Sequence, residues 1–172
     1  MFKTFYPDTC ANSTYEIDFE AYYEKGYRAI IFDIDNTLVE HGVKADERAI
    51  ALFQRLKTIG YKTMLLSNNK EPRVKSFFEQ VQADGYIFKG GKPSTKNYLR
   101  AVEQMGSDKM TTLFVGDQLF TDVWGAKRSG IFAILVSPID KKEEIQIVLK
   151  RYLEKIVLHF YRKECKKNGK TH

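Results

Sequence analysis

From residue 28 onward, continuous apolar runs alternate with amphipathic ones. "YRAIIFDI" has the unbroken apolar character of a strand buried on both faces. "DERAIALFQRLKTIG" spaces Ile50, Phe53, Leu56 and Lys57 by three or four positions before Gly60, which predicts a helix with a glycine stop. The same reading predicts a strand in "YKTMLLSNN", a helix in "EPRVKSFFEQV" with Pro72 tolerated in its first turn, and a short strand in "GYIFKG". "STKNYLRAVEQMG" predicts a helix that opens on Ser94 or Thr95 and closes at Gly106. "TTLFVGD" is a strand, "DVWGAKRSG" a helix ending at Gly130, and "IFAILVSP" the last strand.

Strand and helix in strict alternation predict parallel βαβ units: an α/β fold with a doubly wound sheet in a three-layer α/β/α arrangement. The polar clusters fall at strand ends, "DIDNT" after the first, "SNN" after the second and "GDQ" after "TTLFVGD". Ligands of doubly wound sheets collect at those carboxyl ends. The expected organisation is one domain over residues 1–172, with an N-terminal segment at 1–27, a core at 28–140 and a basic amphipathic helix and tail at 141–172. In that helix Ile145, Val148, Leu149, Tyr152, Leu153, Ile156, Val157, Phe160 and Tyr161 are expected on one face. Lys150, Arg151, Lys155, Arg162, Lys163, Lys166 and Lys167 fall mostly elsewhere, and the closing "KKNGKTH" is expected to fray.

Composition narrows the function classes. With 43% hydrophobic and 29% charged residues, the chain is neither fibrous nor disordered. Every apolar run is broken well short of the roughly 20 residues that a membrane helix needs. The start lacks the apolar core of a signal peptide, so a cytoplasmic location is expected. Cys10 and Cys165, far apart in sequence, argue against a zinc site or a disulfide framework and leave open one bridge between the ends. The net charge of +6 favours an anionic partner without choosing among a phosphorylated metabolite, anionic lipid and RNA.

The candidate chemistry begins with Asp33 and Asp35. Two apart on an extended strand, they can project toward one point above the sheet edge, where like charges repel unless one is protonated or a cation joins them. With a divalent ion, Asp33 would be an ionised nucleophile and Asp35 a proton donor and acceptor; in the structural alternative Asp35 caps the "DNT" turn. Ser67 and Asn68 can hold phosphate oxygens at the end of the second strand. Lys92, in "KGGKPS", can neutralise phosphate charge. Asp117 ends a strand expected beside the first, which makes it a third acid for a hard ion such as Mg²⁺. Asp122 is a candidate helix N-cap, a support for the metal site, or both.

The ordered set Asp33-Ile-Asp35-Asn36-Thr37, Ser67, Lys92-Pro93 and Gly116-Asp117 with Asp122 closely resembles the four motifs of haloacid dehalogenase-like phosphatases, from about residue 28 to 137. The resemblance implies that Asp33 attacks the phosphoryl group and carries it as an aspartyl phosphate, and that Asp35 is the general acid/base and binds metal through its backbone carbonyl. It implies that Ser67 and Lys92 hold the phosphoryl oxygens and that Asp33 and Asp117 ligate Mg²⁺. The intervals between motifs leave no room for a cap domain, which would need on the order of 50 residues. An open site suits a substrate presented on a large body. Within the capless group, "DIDNTLV", "SNN", "GDQLFTDVWGA" and "YPD" resemble the YqeG-type branch, to which phosphatidylglycerophosphate phosphatases are similar. The implied substrate is a phosphomonoester, with a lipid head group as one candidate and the basic tail as its membrane contact. A soluble or nucleic-acid phosphate, and a non-catalytic protein acting through RNA or the ribosome, are the alternatives.

Overall fold

The computed structural model describes residues 3–140 and 145–167. Its strands are β1 (Thr9–Ala11), β2 (Ala29–Phe32), β3 (Lys62–Leu66), β4 (Gly85–Ile87), β5 (Thr112–Gly116) and β6 (Phe132–Val136). They form one sheet in the order β1-β6-β5-β2-β3-β4, with every pair parallel. The helices are α1 (Phe19–Glu24), α2 (Glu47–Ile59), α3 (Glu71–Val81), α4 (Thr95–Gln104), α5 (Trp124–Arg128) and α6 (Ile145–Lys167).

Alternation along the strands divides the core in two. Ile30 and Phe32 of β2, with Leu65, Leu113, Val115 and Ile134, point to the face covered by α1, α2 and α3 through Phe19, Phe53, Leu56 and Phe77. Ala29 and Ile31, with Met64, Leu66 and Phe114, point to the face covered by α4, α5 and α6 through Tyr98, Ala126 and Val157. Helices on both faces are the doubly wound arrangement that the strand-helix alternation predicts. Only α2 lies between β2 and β3, and only α3, β4, α4 and the short 3-10 turn Lys109–Thr111 between β3 and β5, so no segment there builds a second core.

The helix boundaries follow local chemistry. Asp46 accepts the Ala49 N–H at 2.9 Å and caps α2, and Gly60, at φ 108°, ends it in the left-handed region. Within α2 the buried positions are Ala49, Leu52, Phe53 and Leu56, while Lys57 is exposed and Ile50 half-buried. The inward stripe is thus rotated by one position from the expected one. Ser94 stands at the N-cap of α4, though its side chain makes no capping bond.

The structure adds one element that the sequence does not announce and corrects one expectation. The segment before residue 28 contributes β1, an edge strand on β6, which no apolar run announces. The helix expected from Asp122 begins earlier: Leu119–Val123 forms a turn of π-helix that runs directly into α5. Asp122 is therefore not its N-cap, a position held by Gln118, and the Asp122 carboxylate instead accepts the Gln118 N–H at 3.0 Å from within the turn.

Cys10, on β1, and Cys165, on α6, are free thiols. The stripe expected on α6 is divided. Val157, Tyr161 and Cys165 are buried with Glu154, while Tyr152, Leu153, Ile156 and Phe160 are exposed. Lys141 and the residues beyond Lys167, where fraying is expected, lie outside the described residues, as do the side chains of Ile145, Val148, Leu149, Lys150, Arg151 and Lys167. No helix among the described residues is long and apolar enough to cross a membrane.

Candidate active site

From β2 the chain runs outward to β3 and β4 and then crosses back to β5 and β6 on the other side of β2, so strand order reverses between β2 and β5. Asp33 follows β2 and Asp117 follows β5, and the two therefore meet at the switch point where such sheets bind ligands. The Asp33 N–H donates to the Val115 carbonyl at 3.0 Å, which extends the ladder just far enough to fix the acid at the strand end.

Lys92 organises the centre. Its Nζ donates to Asp33 Oδ1 and to Asp122 Oδ1, each at 2.6 Å, and all three side chains are buried. Burial works to lower the Lys92 pKa, but the carboxylates of Asp122 and Asp33 more than offset it and hold the group above the ordinary lysine value. Burial pushes the Asp33 carboxyl up to about 7, with Lys92 opposing and with the charges of Asp122 and Asp35 adding to the rise. Oxygens of Asp33, Asp117 and Asp122 lie within 4.8 Å of one another. An all-oxygen, carboxylate donor set of that size is the chemistry of a hard divalent ion, and a cation there would reverse the upward push on Asp33. These residues therefore fit Mg²⁺.

Close packing sets the Asp122 side chain. A Cβ on Gly116 would stand 2.6 Å from the Asp122 Cβ and Cγ, so only glycine lets the carboxylate lie against β5. On the other side Tyr98 packs over Gly125, whose Cβ would meet the ring at 2.6 Å, and the Tyr98 hydroxyl donates to the Thr121 carbonyl at 2.8 Å. Burial raises the Tyr98 phenol well above its usual value, so it remains a donor.

Asp35 does not share the cation of Asp33. Its carboxylate accepts from Arg73 at 3.0 Å, from the Gly42 N–H at 2.8 Å and from the Asn69 side-chain amide. Each of the paired acids thus has its own basic partner, Lys92 for Asp33 and Arg73 for Asp35, which offsets part of the repulsion that their spacing implies. The Gly42 bond ties Asp35 to a later part of the same loop, while the N–H groups of the "DNT" turn itself go to backbone carbonyls, Asn36 to Val39 and Thr37 to Ile34.

Ser67 is buried at the end of β3, and its hydroxyl accepts the Asn69 N–H at 3.2 Å. The Asn68 side-chain Oδ1 accepts the Lys92 backbone N–H at 2.9 Å, so this side chain ties the strand end carrying Ser67 to the loop carrying Lys92. Of the expected residues, Asp33, Lys92, Asp117 and Asp122 form the buried cluster, with Ser67 and Asn68 on the neighbouring strand end and Asp35 at the rim.

Sequence reasoning missed several supports. Thr37 donates to Asp117 at 3.3 Å across the β2 and β5 loops. Thr14 donates to the Thr37 carbonyl at 2.7 Å and Tyr15 to the Leu38 carbonyl at 2.5 Å, so the N-terminal segment braces the loop after Asp33. Glu154 of α6 accepts the Leu119 N–H at 2.8 Å, beside the Asp117 loop. Thr37 belongs to the quoted motif and was open to notice; the others depend on pairings between distant segments that carry no local signal.

Known proteins place the chain in a family and share its fold. Residues 41–130 match the haloacid dehalogenase-like hydrolase family. "Probable phosphatase YqeG" of Bacillus subtilis (strain 168) is 38% identical over 157 residues, which cover 91% of this chain and 91% of that protein. A HAD-superfamily hydrolase from Ehrlichia chaffeensis has the same fold at a TM-score of 0.53 and 16% identity, over 75% of this chain and 97% of that one. So does the cobalt-bound deoxy-D-mannose-octulosonate 8-phosphate phosphatase of Haemophilus influenzae, with TM-score 0.53 and 12% identity over 65% of this chain and 69% of that one. With a match to the family over residues 41–130 and 38% identity to a probable phosphatase running nearly end to end, the chain belongs to the haloacid dehalogenase-like hydrolases.

Proposed function

We propose that the protein is a Mg²⁺-dependent phosphomonoester hydrolase that works through a covalent phosphate on Asp33. The observation that carries this reading is the buried cluster of Asp33, Asp117 and Asp122 around Lys92 at the β2/β5 switch point. Asp33, Asp117 and the backbone carbonyl of Asp35 would hold the ion, and Asp122 would act beside them through Lys92. When bound, Mg²⁺ supplies positive charge to the phosphoryl oxygens and keeps Asp33 ionised.

The chain's own groups do the rest. Asp33 forms the bond to phosphorus as the bond to the leaving oxygen breaks. Asp35 gives a proton to that oxygen and later takes one from the water that releases phosphate; its bonds to Arg73 and Asn69 support this role by holding it at the rim. Ser67, the loop around Asn68 and Lys92 hold the phosphoryl oxygens, with Lys92 turning from the carboxylates toward the anion as charge builds.

The substrate placed first is the phosphomonoester of a lipid head group, such as phosphatidylglycerophosphate. Its support is the outer side of α6, where exposed Tyr152, Leu153, Ile156 and Phe160 stand among basic residues that an anionic surface would attract. The test is phosphate release from that lipid in mixed micelles with Mg²⁺, beside soluble phosphomonoesters and RNA 3′-phosphates, with Asp33→Asn as control. Turnover of the lipid far above the panel, lost in the variant, is the expected result. Turnover of the soluble panel alone would remove the lipid and keep the chemistry. Activity that persists in Asp33→Asn would overturn the covalent mechanism, and none on any substrate would favour a binding role.

A further inference from the structure

The catalytic cluster accounts for the phosphoryl group, and a neighbouring cleft accounts for what that group is attached to. The cleft, about 500 Å³, lies where the carboxyl ends of β1 and β6 meet α6, and its lining joins Asp117 to Lys155, Leu158 and Arg162. We propose that this cleft is the leaving-group subsite and that Lys155 and Arg162 select a phosphomonoester carrying a second anionic group. The proposal rests on the phosphatase reading given above.

Continuity with the reaction centre is the first support, because Asp117 belongs to both the metal-ligand candidates and the cleft wall. The second is that α6 is tied to the catalytic loop. Glu154 accepts the Leu119 N–H at 2.8 Å, and Tyr161 packs edge-on against Tyr6 at 5.1 Å. Lys155 thus directly follows a residue bonded two positions beyond Asp117.

Charge is the third support. Lys155 and Arg162 are seven apart, about two helical turns, and so lie on the same side of α6. Both are exposed, and among the described residues neither makes a salt bridge. Lys3, Arg55, Lys62 and Lys127 each have a carboxylate within 4.0 Å. Two cations with no salt bridge among the described residues, on a wall that also carries Glu154, bonded to Leu119, and Asp117, and beside an apolar floor of Leu135, Val136 and Pro138, are a receptor for an anion on a partly desolvated group. The volume suits a small leaving group and excludes folded macromolecules.

The experiment compares wild type with the double variant Lys155→Ala/Arg162→Ala, with Mg²⁺, on three substrates. These are p-nitrophenyl phosphate, which lacks a second anion; propane-1,3-diol bisphosphate, which is soluble and has one; and a glycerol-linked phosphate and phosphodiester carried on a lipid in neutral detergent micelles. Wild type should prefer both two-anion substrates in kcat/KM. The double variant should reduce that preference about tenfold, the size expected for two solvent-screened ion pairs.

An unchanged preference, or equal loss on all three substrates, overturns the subsite. So does a preference confined to micelles, because the pair would then be answering an interface. Calorimetric titration with propane-1,3-bisphosphonate and methylphosphonate is the second measurement. The double variant should lose about tenfold more affinity for the bisphosphonate than for the methylphosphonate, and equal losses count against the proposal. Wild type that cleaves no phosphomonoester but retains this discrimination would sink the phosphatase reading while leaving the anion subsite standing.

Discussion

Replacing Asp33 by Asn tests whether burial governs the centre. Burial pushes the Asp33 carboxyl up to about 7, whereas an aspartate in an unfolded chain titrates near ~3.9. Below about pH 4 both states hold the proton, and Asp33 adds no pH dependence. Between about pH 4 and 7 the unfolded chain gives up the proton while the folded one keeps it, so metal-free protein loses stability as pH rises, and above that window the loss is complete. Three units at about 1.4 kcal/mol each set an upper limit of about 4 kcal/mol, or on the order of 10 °C in Tm for a chain of this length. Asparagine stays neutral throughout, so Asp33→Asn should unfold several degrees above wild type at pH 8 without metal, and the gap should close toward pH 4. Mg²⁺ should raise the wild-type Tm at pH 8 and move the variant little. The assay is thermal unfolding by circular dichroism in chelator, with and without Mg²⁺. A variant no more stable than wild type at pH 8, or a gap that does not shrink with acid, would refute the reasoning.

Lys92→Met should cost about 3–5 kcal/mol in urea unfolding, because it strands Asp122 and Asp33 without the ammonium that lies 2.6 Å from each. Gly116→Ala should drive the Asp122 side chain off β5, since the new Cβ would come within 2.6 Å of it; we expect a loss of about 1–3 kcal/mol and a fall in phosphatase turnover of at least about tenfold. Wild-type stability in that variant would show that the close approach is dispensable. Glu154→Ala removes the acceptor of the Leu119 N–H and should cost about 1–3 kcal/mol, with Glu154→Gln recovering part of it through its amide oxygen. Hydrogen exchange at the Leu119 amide reads that contact directly, and unchanged protection in Glu154→Ala would dismiss it.

How much of this was legible in the sequence depends on whether the signal is local. β2, β3, β5 and β6 declare themselves because each is an apolar run between polar strand ends, and parallel pairing follows from the helices that separate them. The acids Asp33 and Asp117 are legible for the same reason, since a strand end is a place that sequence can locate. β1 is not: its three residues, Thr9, Cys10 and Ala11, form an edge with no apolar run, and it is held by the ladder to β6 and by Asp8, which accepts the Ala133 N–H at 2.8 Å. The expected cap role of Asp122 failed because capping preference is a local property, while its side chain answers to Lys92, thirty residues away, and to the missing Cβ of Gly116. Arg73, Asn69 and Glu154 went unnoticed because an arginine, an asparagine or a glutamate in a helix or turn is an ordinary surface residue until the fold shows what it touches. The sequence therefore locates the candidate reacting groups, and the tertiary structure supplies the partners that fix their charge and direction. For Asp33 those partners set the charge, because burial and the carboxylates of Asp122 and Asp35 push its proton affinity up while Lys92 opposes them, and a divalent cation beside Asp117 would favour the ionised form that the proposed nucleophile needs.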